Sequence, residues 1–199
     1  MLSSLMGMVI GLLGGVAAGK STVAAFMAKA GLTILNADEE ARSAVAEPEV
    51  QQALIQRFGE EILTDEKNID RERLASLAFS SEEATHDLNR IVHPFVRTRL
   101  EEKLRDYGDK PVVLDVPLLL ESPLSKIVTV WIYVDTPENL RDDRAAQRGW
   151  AAGERARREA QQASLDEKKI RAEQMLDNSG SIEDLEAQVE ALLHQLGLA

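Results

Sequence analysis

The chain has 199 residues, 44% of them hydrophobic and 29% charged, with a formal net charge of −11 and no cysteine. That length suits one domain able to bury a sizeable core, and the lack of cysteine excludes disulfides and thiolate metal sites. The acidic balance argues against general binding to nucleic acid or to anionic membranes, so an anionic ligand must meet a local basic patch.

Residues 1–19 carry no charge and resemble the apolar segment of a signal peptide. They lack a basic leading region, however, and glycines interrupt the run, so the stretch reads instead as a buried strand entering a loop. The expected location is cytoplasmic, and no other stretch is long enough to span a membrane.

The strand over residues 8–13 leads into Gly14-Gly15-Val16-Ala17-Ala18-Gly19-Lys20-Ser21, which fits the phosphate-binding pattern G-x-x-x-x-G-K-[ST]. A helix-forming run from Thr22 to Ala30 follows. Strand, glycine loop and helix in that order gather backbone N–H groups at a helix N-terminus, where unpaired amides and the helix dipole attract phosphate. Lys20 can reach the β- and γ-phosphates of ATP, and the Ser21 hydroxyl can hold Mg²⁺. The amides from Gly15 through Val16, Ala17, Ala18 and Gly19 to Thr22 complete the expected ATP-binding loop.

Further strands are expected over residues 32–36, 111–116 and 127–134, with a short fifth near 174–177. Strands alternating with helices imply a parallel α/β sheet with helices on both faces. Asp38 follows the second strand, at the edge where open α/β sheets bind ligands. It could orient a hydroxyl nucleophile and accept its proton, help hold the metal, or cap the helix that begins there. Residues 38–108 read as a helical, acceptor-binding insert in which Asp70 and Ser81 are candidate N-caps. Pro94 is expected to kink or break the second half of that insert, next to His93.

Asp115 closes the third strand, where an acid can reach Mg²⁺, and Glu121 beyond it could meet substrate or cap a helix. From Arg144 to Arg158 the chain holds Arg144, Arg148, Arg155, Arg157 and Arg158 against one acid, Glu154. In an acidic chain this run is the expected footprint of a lid, residues 144–162, that meets phosphates. The core would then comprise residues 1–37, 109–143 and 163–199.

Together these motifs resemble the dephospho-CoA kinase family of P-loop kinases. Residues Gly11 to Val23 resemble its G-L-T-G-G-I-G-S-G-K-S-T-V start, and Ala37-Asp38 with Ala41-Arg42 resembles D-A-D-x-x-A-R. His93-Pro94 matches an H-P pair, Asp115 to Glu121 resembles D-x-P-L-L-F-E, and Arg144 with Arg148 fits R-x-x-x-R. Gln162 with Lys168, then Asp177-Asn178-Ser179-Gly180, fit Q-x5-K and D-N-x-G. The resemblance implies transfer of the ATP γ-phosphoryl group to the ribose 3′-hydroxyl of dephospho-CoA. It implies Asp38 as base or orienting group, Arg144 as charge stabiliser, and Arg148 at the lid hinge. Arg42, His93, Pro117, Leu118 and Glu121 would shape the acceptor site, and Asn178 and Gly180 would lie near adenine. The expected partners are ATP and dephospho-CoA, with no nucleic acid or membrane, in a monomer or weak homo-oligomer. Departures from the pattern are Asn36 for Asp, Leu13 for Thr, Ala17-Ala18 for Gly-Ser, Leu120 for an aromatic and Glu173 for Asp. Another nucleotide or nucleoside kinase, or a regulatory ATP-binding protein, are the competing readings; the chain has no N-K-x-D segment of the kind that reads guanine.

Overall fold

Five strands form the centre of the protein, whose computed structural model describes residues 7–198. The first six residues of the uncharged leading stretch therefore lie outside the described residues. The strands are β1 (Val9–Gly14), β2 (Thr33–Asn36), β3 (Val112–Asp115), β4 (Val130–Asp135) and β5 (Gln174–Asp177), each within a residue or two of its expected position except at the late start of β4. They hydrogen-bond in the order β2-β3-β1-β4-β5, and β1 runs parallel to both β3 and β4, as β4 does to β5. All six residues of β1 are buried, as expected of a central parallel strand with both faces covered.

The chain divides into two compact units, one of them spanning Asn36–Lys103. The other unit holds the sheet with α1 (Lys20–Lys29), α6 (Glu138–Gln147), α7 (Glu154–Glu159), α8 (Leu165–Arg171) and α9 (Ile182–Gln195). Its core joins Ile10 and Leu12 of β1 to Val23 and Met27 of α1, Ile132 and Val134 of β4, and Leu185, Val189 and Leu193 of α9. Spacings of four residues on both helices place these side chains on single faces. Gly11 admits the Trp131 ring, because a Cβ there would sit 2.8 Å from it.

The Asn36–Lys103 unit carries α2 (Ala37–Ala44), α3 (Pro48–Phe58), α4 (Arg71–Ala78) and most of α5 (Glu82–Tyr107). It begins and ends a few residues earlier than the expected insert of 38–108. Val50, Leu54, Phe58, Ile62, Leu74, Val92, Val96 and Leu100 are buried in it. Asp70 caps α4 by accepting from the N–H groups of Glu72 and Arg73, and Ser81 accepts the N–H of Ala84 at the start of α5, as expected. Of the kink or break expected at Pro94, the break is corrected: α5 runs through that position as one helix of 26 residues. A proline removes one N–H and crowds the carbonyl four residues back, a cost of about 3 kcal/mol in an isolated helix. Here Val92, Val96, Leu100 and Leu104 bury one continuous stripe, which holds the helix together across that position.

Asn36 changes the reading of Asp38. The Asn36 side chain caps α2, accepting from Asp38 N–H at 2.8 Å and Glu39 N–H at 3.1 Å. Asp38 is thus the second residue of the helix, exposed, and has no capping task. Asparagine and aspartate cap about equally well, so the departure at position 36 keeps the local structure while removing a charge.

Candidate phosphate-transfer site

The loop from Gly14 to Ser21 joins β1 to α1, and its backbone is turned by three residues of positive φ: Gly14 at 153°, Ala17 at 63° and Gly19 at 92°. Gly19 precedes the first residue of α1, and a Cβ there would collide with the Asn178 side-chain nitrogen. Only glycine satisfies both the dihedral and the space. Ala17 holds a left-handed conformation that costs an L-residue about 1–2 kcal/mol. Among the described residues the N–H groups of Ala17, Gly19, Lys20 and Ser21 have no backbone acceptor. These are the open donors of a helix N-terminus, the arrangement that receives phosphate.

The loop is held from behind through one carbonyl. Ala18 C=O accepts from the Thr136 hydroxyl at 2.8 Å, the Asn178 side-chain nitrogen at 2.8 Å and the Arg144 guanidinium at 3.4 Å. Arg144 also donates to the backbone and side-chain oxygens of Asn178, at 3.2 and 3.3 Å. Asn178 is buried, so its side chain serves as a buttress of the loop. Gly180, two residues on, is exposed.

Lys20 folds over the loop, donating to Gly15 C=O at 3.0 Å and Gly14 C=O at 3.4 Å. Burial, helped by the nearby Lys168 ammonium, draws its pKa from the usual lysine value down to about 8, with Asp115 and Glu159 pulling the other way. Lys20 and Gly14 line a cleft together with Leu12, Leu13, Val116, Pro117, Leu119, Leu120, Glu121 and Lys168. Pro117 and Glu121 thus reach the cleft, whereas Leu118 points to solvent and Leu119 and Leu120 line the wall in its place. Glu121 does not cap the following 3-10 turn, which Ser122 does; its carboxylate accepts the Ala163 N–H instead.

The arginine-rich segment divides in two. Arg148, Arg157 and Arg158 are exposed; the last two pair with Glu154, and Arg158 lies over the Trp150 ring at 4.1 Å. Arg155 does not match the expectation of a phosphate-meeting side chain. It is buried and donates to Asp142, Glu138 and Glu159, whose charges and hydrogen bonds push its pKa further up. These three acids lie just outside the arginine run of residues 144–158. So does Arg141, one turn before Arg144, which is buried and bonded to Glu159 and to Thr136 C=O. Glu159 in turn accepts the Val16 N–H at 2.9 Å. Burial alone would raise the Glu159 pKa, but Arg141 and the Val16 amide hold it below the usual carboxylate value.

Asp115 ends β3 and acts electrostatically on Lys20. Ser21 is exposed at the second position of α1. Among the described residues no cluster of three or more His, Cys, Asp or Glu could hold a metal by itself. A phosphate-loop Mg²⁺ needs less: one hydroxyl, a carboxylate and the phosphate oxygens of the nucleotide, so Ser21 and Asp115 suffice chemically. Asp38, Arg42 and His93 are exposed residues of the Asn36–Lys103 unit. No helix among the described residues is long and apolar enough to cross a membrane.

Comparison with known proteins agrees with this geometry along nearly the whole chain. The dephospho-CoA kinase family model matches residues 8–184. The chain is 43% identical to the dephospho-CoA kinase of Bacillus licheniformis, covering 94% of this chain and 96% of that protein. It is 42% identical to that of Deinococcus radiodurans, covering 94% and 91%. Among solved structures, TT1252 from Thermus thermophilus is 34% identical with a TM-score of 0.74, covering 96% and 98%. The fold is shared with the dephospho-CoA kinase of Campylobacter jejuni, at 23% identity and a TM-score of 0.71, covering 94% and 96%. It extends to the shikimate kinase of Acinetobacter baumannii, at 15% identity and a TM-score of 0.54, covering 99% and 97%. With a phosphate loop of this build at the C-terminal end of the central strand, and relatives of this identity over this length, the chain belongs to the dephospho-CoA kinase family.

Proposed function

We propose that the protein transfers the γ-phosphoryl group of ATP to the ribose 3′-hydroxyl of dephospho-CoA, giving CoA and ADP, by the residues named here. The observation that carries this reading is the loop from Gly14 to Ser21, whose open amides and overlying Lys20 form a phosphate seat at the start of α1. In the reaction the bond between the γ-phosphorus and the β,γ-bridging oxygen breaks, and the 3′-oxygen bonds to phosphorus in line. The hydroxyl proton passes to the Asp38 carboxylate, which has no cap to make. Lys20 and the loop amides hold the phosphates, and Arg144, resting on Asn178, is within the loop's own hydrogen-bond network to offset charge. Positioning and fixed electrostatics supply most of the catalysis in such transfers.

Ser21 and Asp115 would hold Mg²⁺ against the nucleotide. The ion supplies neutralisation of the phosphate charge. Pro117 and Glu121 line the cleft and contribute to the acceptor side, a role that the family resemblance also gives to Arg42 and His93. Exposed Arg148, Arg157 and Arg158 remain available to close on phosphates. Gly180 offers exposed backbone to the nucleotide base. The protein works in the cytoplasm as a monomer or weak homo-oligomer.

The test is ADP and CoA formation from ATP and Mg²⁺ with dephospho-CoA, AMP and adenosine as separate acceptors, against a control without acceptor. Stimulation by dephospho-CoA alone, with CoA as product, is expected. Equal stimulation by AMP or adenosine would overturn the acceptor assignment and point to a general nucleotide or nucleoside kinase.

A further inference from the structure

Lys168 is the one lysine among the described residues classed as buried, at 3% exposure, and nothing above assigns it a task. It sits in α8, which begins at Ser164 with a capping box shared with Glu167. Its ammonium donates to the Gln162 side-chain oxygen at 2.7 Å and to Gly14 C=O at 3.5 Å. Gly14 C=O is the same oxygen that Lys20 approaches, so two lysine head groups converge on one carbonyl at the mouth of the phosphate loop. None of the ion pairs among the described residues includes Lys20 or Lys168. A buried lysine is ordinarily paired with an acid, because an unpaired buried charge is costly.

Lys168 is instead solvated by two neutral oxygens, which use two of its three N–H donors. The third is unassigned, and the residue lines the cleft with Lys20 and Glu121. Burial draws the Lys168 pKa below the usual lysine value, with Glu121 and Glu159 opposing and Arg141 assisting. Two like charges held together without a close counter-ion are what a dianionic phosphoryl group would relieve. A neutral structural role would be served as well by a glutamine or methionine at no electrostatic cost.

We propose that Lys168 is a second phosphate-binding cation of this site, which together with Lys20 grips the phosphoryl group in transit between nucleotide and acceptor. The proposal rests on the kinase reading above. In the ground state Lys168 contacts the γ-phosphate through its third N–H. As the β,γ-bridge breaks, it follows the charge spreading over the equatorial oxygens. It forms no covalent bond and gives up no proton.

Because ADP lacks the group Lys168 holds, the affinities for ATP and ADP separate this role from a structural one. Lys168→Met and Lys168→Gln should leave ADP binding within about twofold while weakening ATP binding several-fold, read by calorimetry with Mg²⁺ present. They should lower kcat with dephospho-CoA about 10²-fold, the size expected for loss of one transition-state donor. Lys168→Arg should recover part of both losses. ATP and ADP affinities falling together, or a kcat within threefold of the parent, would overturn the proposal and leave Lys168 as a brace between α8 and the loop. The ATP-to-ADP ratio needs no acceptor, so it stands or falls separately from the identification of dephospho-CoA. Both substitutions are judged on protein that melts cooperatively, and either one alone suffices.

Discussion

The Glu159 carboxylate accepts the backbone N–H of Val16 at 2.9 Å, binding helix α7 directly to the phosphate loop. Two buried guanidiniums, Arg141 and Arg155, hold that carboxylate in place. Glu159→Ala should leave both arginines without this partner and one loop amide without its acceptor. The expected loss is about 2–3 kcal/mol in unfolding free energy, read from urea denaturation. A loss below about 0.5 kcal/mol would show that the cluster contributes nothing net.

The same carboxylate makes stability depend on pH. Its pKa lies below the unfolded value, so its contribution is fully present above the ordinary glutamate range. It is lost as pH falls through the lower, folded value. Comparing the parent with Glu159→Gln, the stability gap should narrow as the solution is acidified below about pH 4.5. A gap constant with pH would contradict the assignment.

Lys20 titrates at the other end. With its pKa near 8, a good part of the free protein carries it uncharged in mildly alkaline solution. Bound phosphate favours the ammonium, so ATP binding at pH 8.5 should take up a fraction of a proton, and ATP affinity should fall as pH rises through about 8. Burial is the main cause of this value, and Lys168, Asp115, Glu159 and Arg141 are the charged groups acting on Lys20. Calorimetry in buffers of differing ionisation enthalpy reads the uptake; an identical apparent enthalpy in all buffers would count against it.

Ala17 at φ 63° places a Cβ where the family pattern has glycine. Ala17→Gly should relieve the left-handed strain and raise stability by about 0.5–1 kcal/mol, with activity retained. A fall in melting temperature would mean that the loop's conformation is set otherwise.

Asn36 and Asp38 divide two tasks that aspartate could perform at either position. Asn36→Ala should cost about 1 kcal/mol as a lost cap, whereas Asn36→Asp should change stability little. Asp38→Ala should leave stability and ATP affinity near the parent values while cutting kcat at least 10²-fold. Near-full turnover in that variant would remove Asp38 from the reaction.

The contrast between these two residues shows what the sequence could convey. A strand rich in Val, Ile and Leu followed by a glycine loop and an alanine-rich helix announces itself locally, and all five strands lie close to where their apolar runs put them. The Asp38 cap was ambiguous because Asn and Asp both suit the position; only the direction of the Asn36 side chain decides it. Pro94 misleads because propensity acts locally, whereas side chains on both sides of it, Val92, Val96, Leu100 and Leu104, are buried in the folded chain. Arg155 shows the same limit for charge. Its acids Glu138 and Asp142 lie on α6, a helix that folds back onto α7 only in three dimensions. Lys168 was visible as part of a motif, but its burial beside Gly14 was not.

The Ala18 carbonyl gathers Thr136, Arg144 and Asn178, partners 118 to 160 residues away in sequence. The peptide whose orientation aims the loop is therefore fixed by chain that is synthesised late. The entire glycine motif is made once Ser21 is added, yet it lacks the partners that hold it in shape until residue 178 has emerged and β5 has docked. Nucleotide then stabilises only the finished fold, and offers no template to the partly made one.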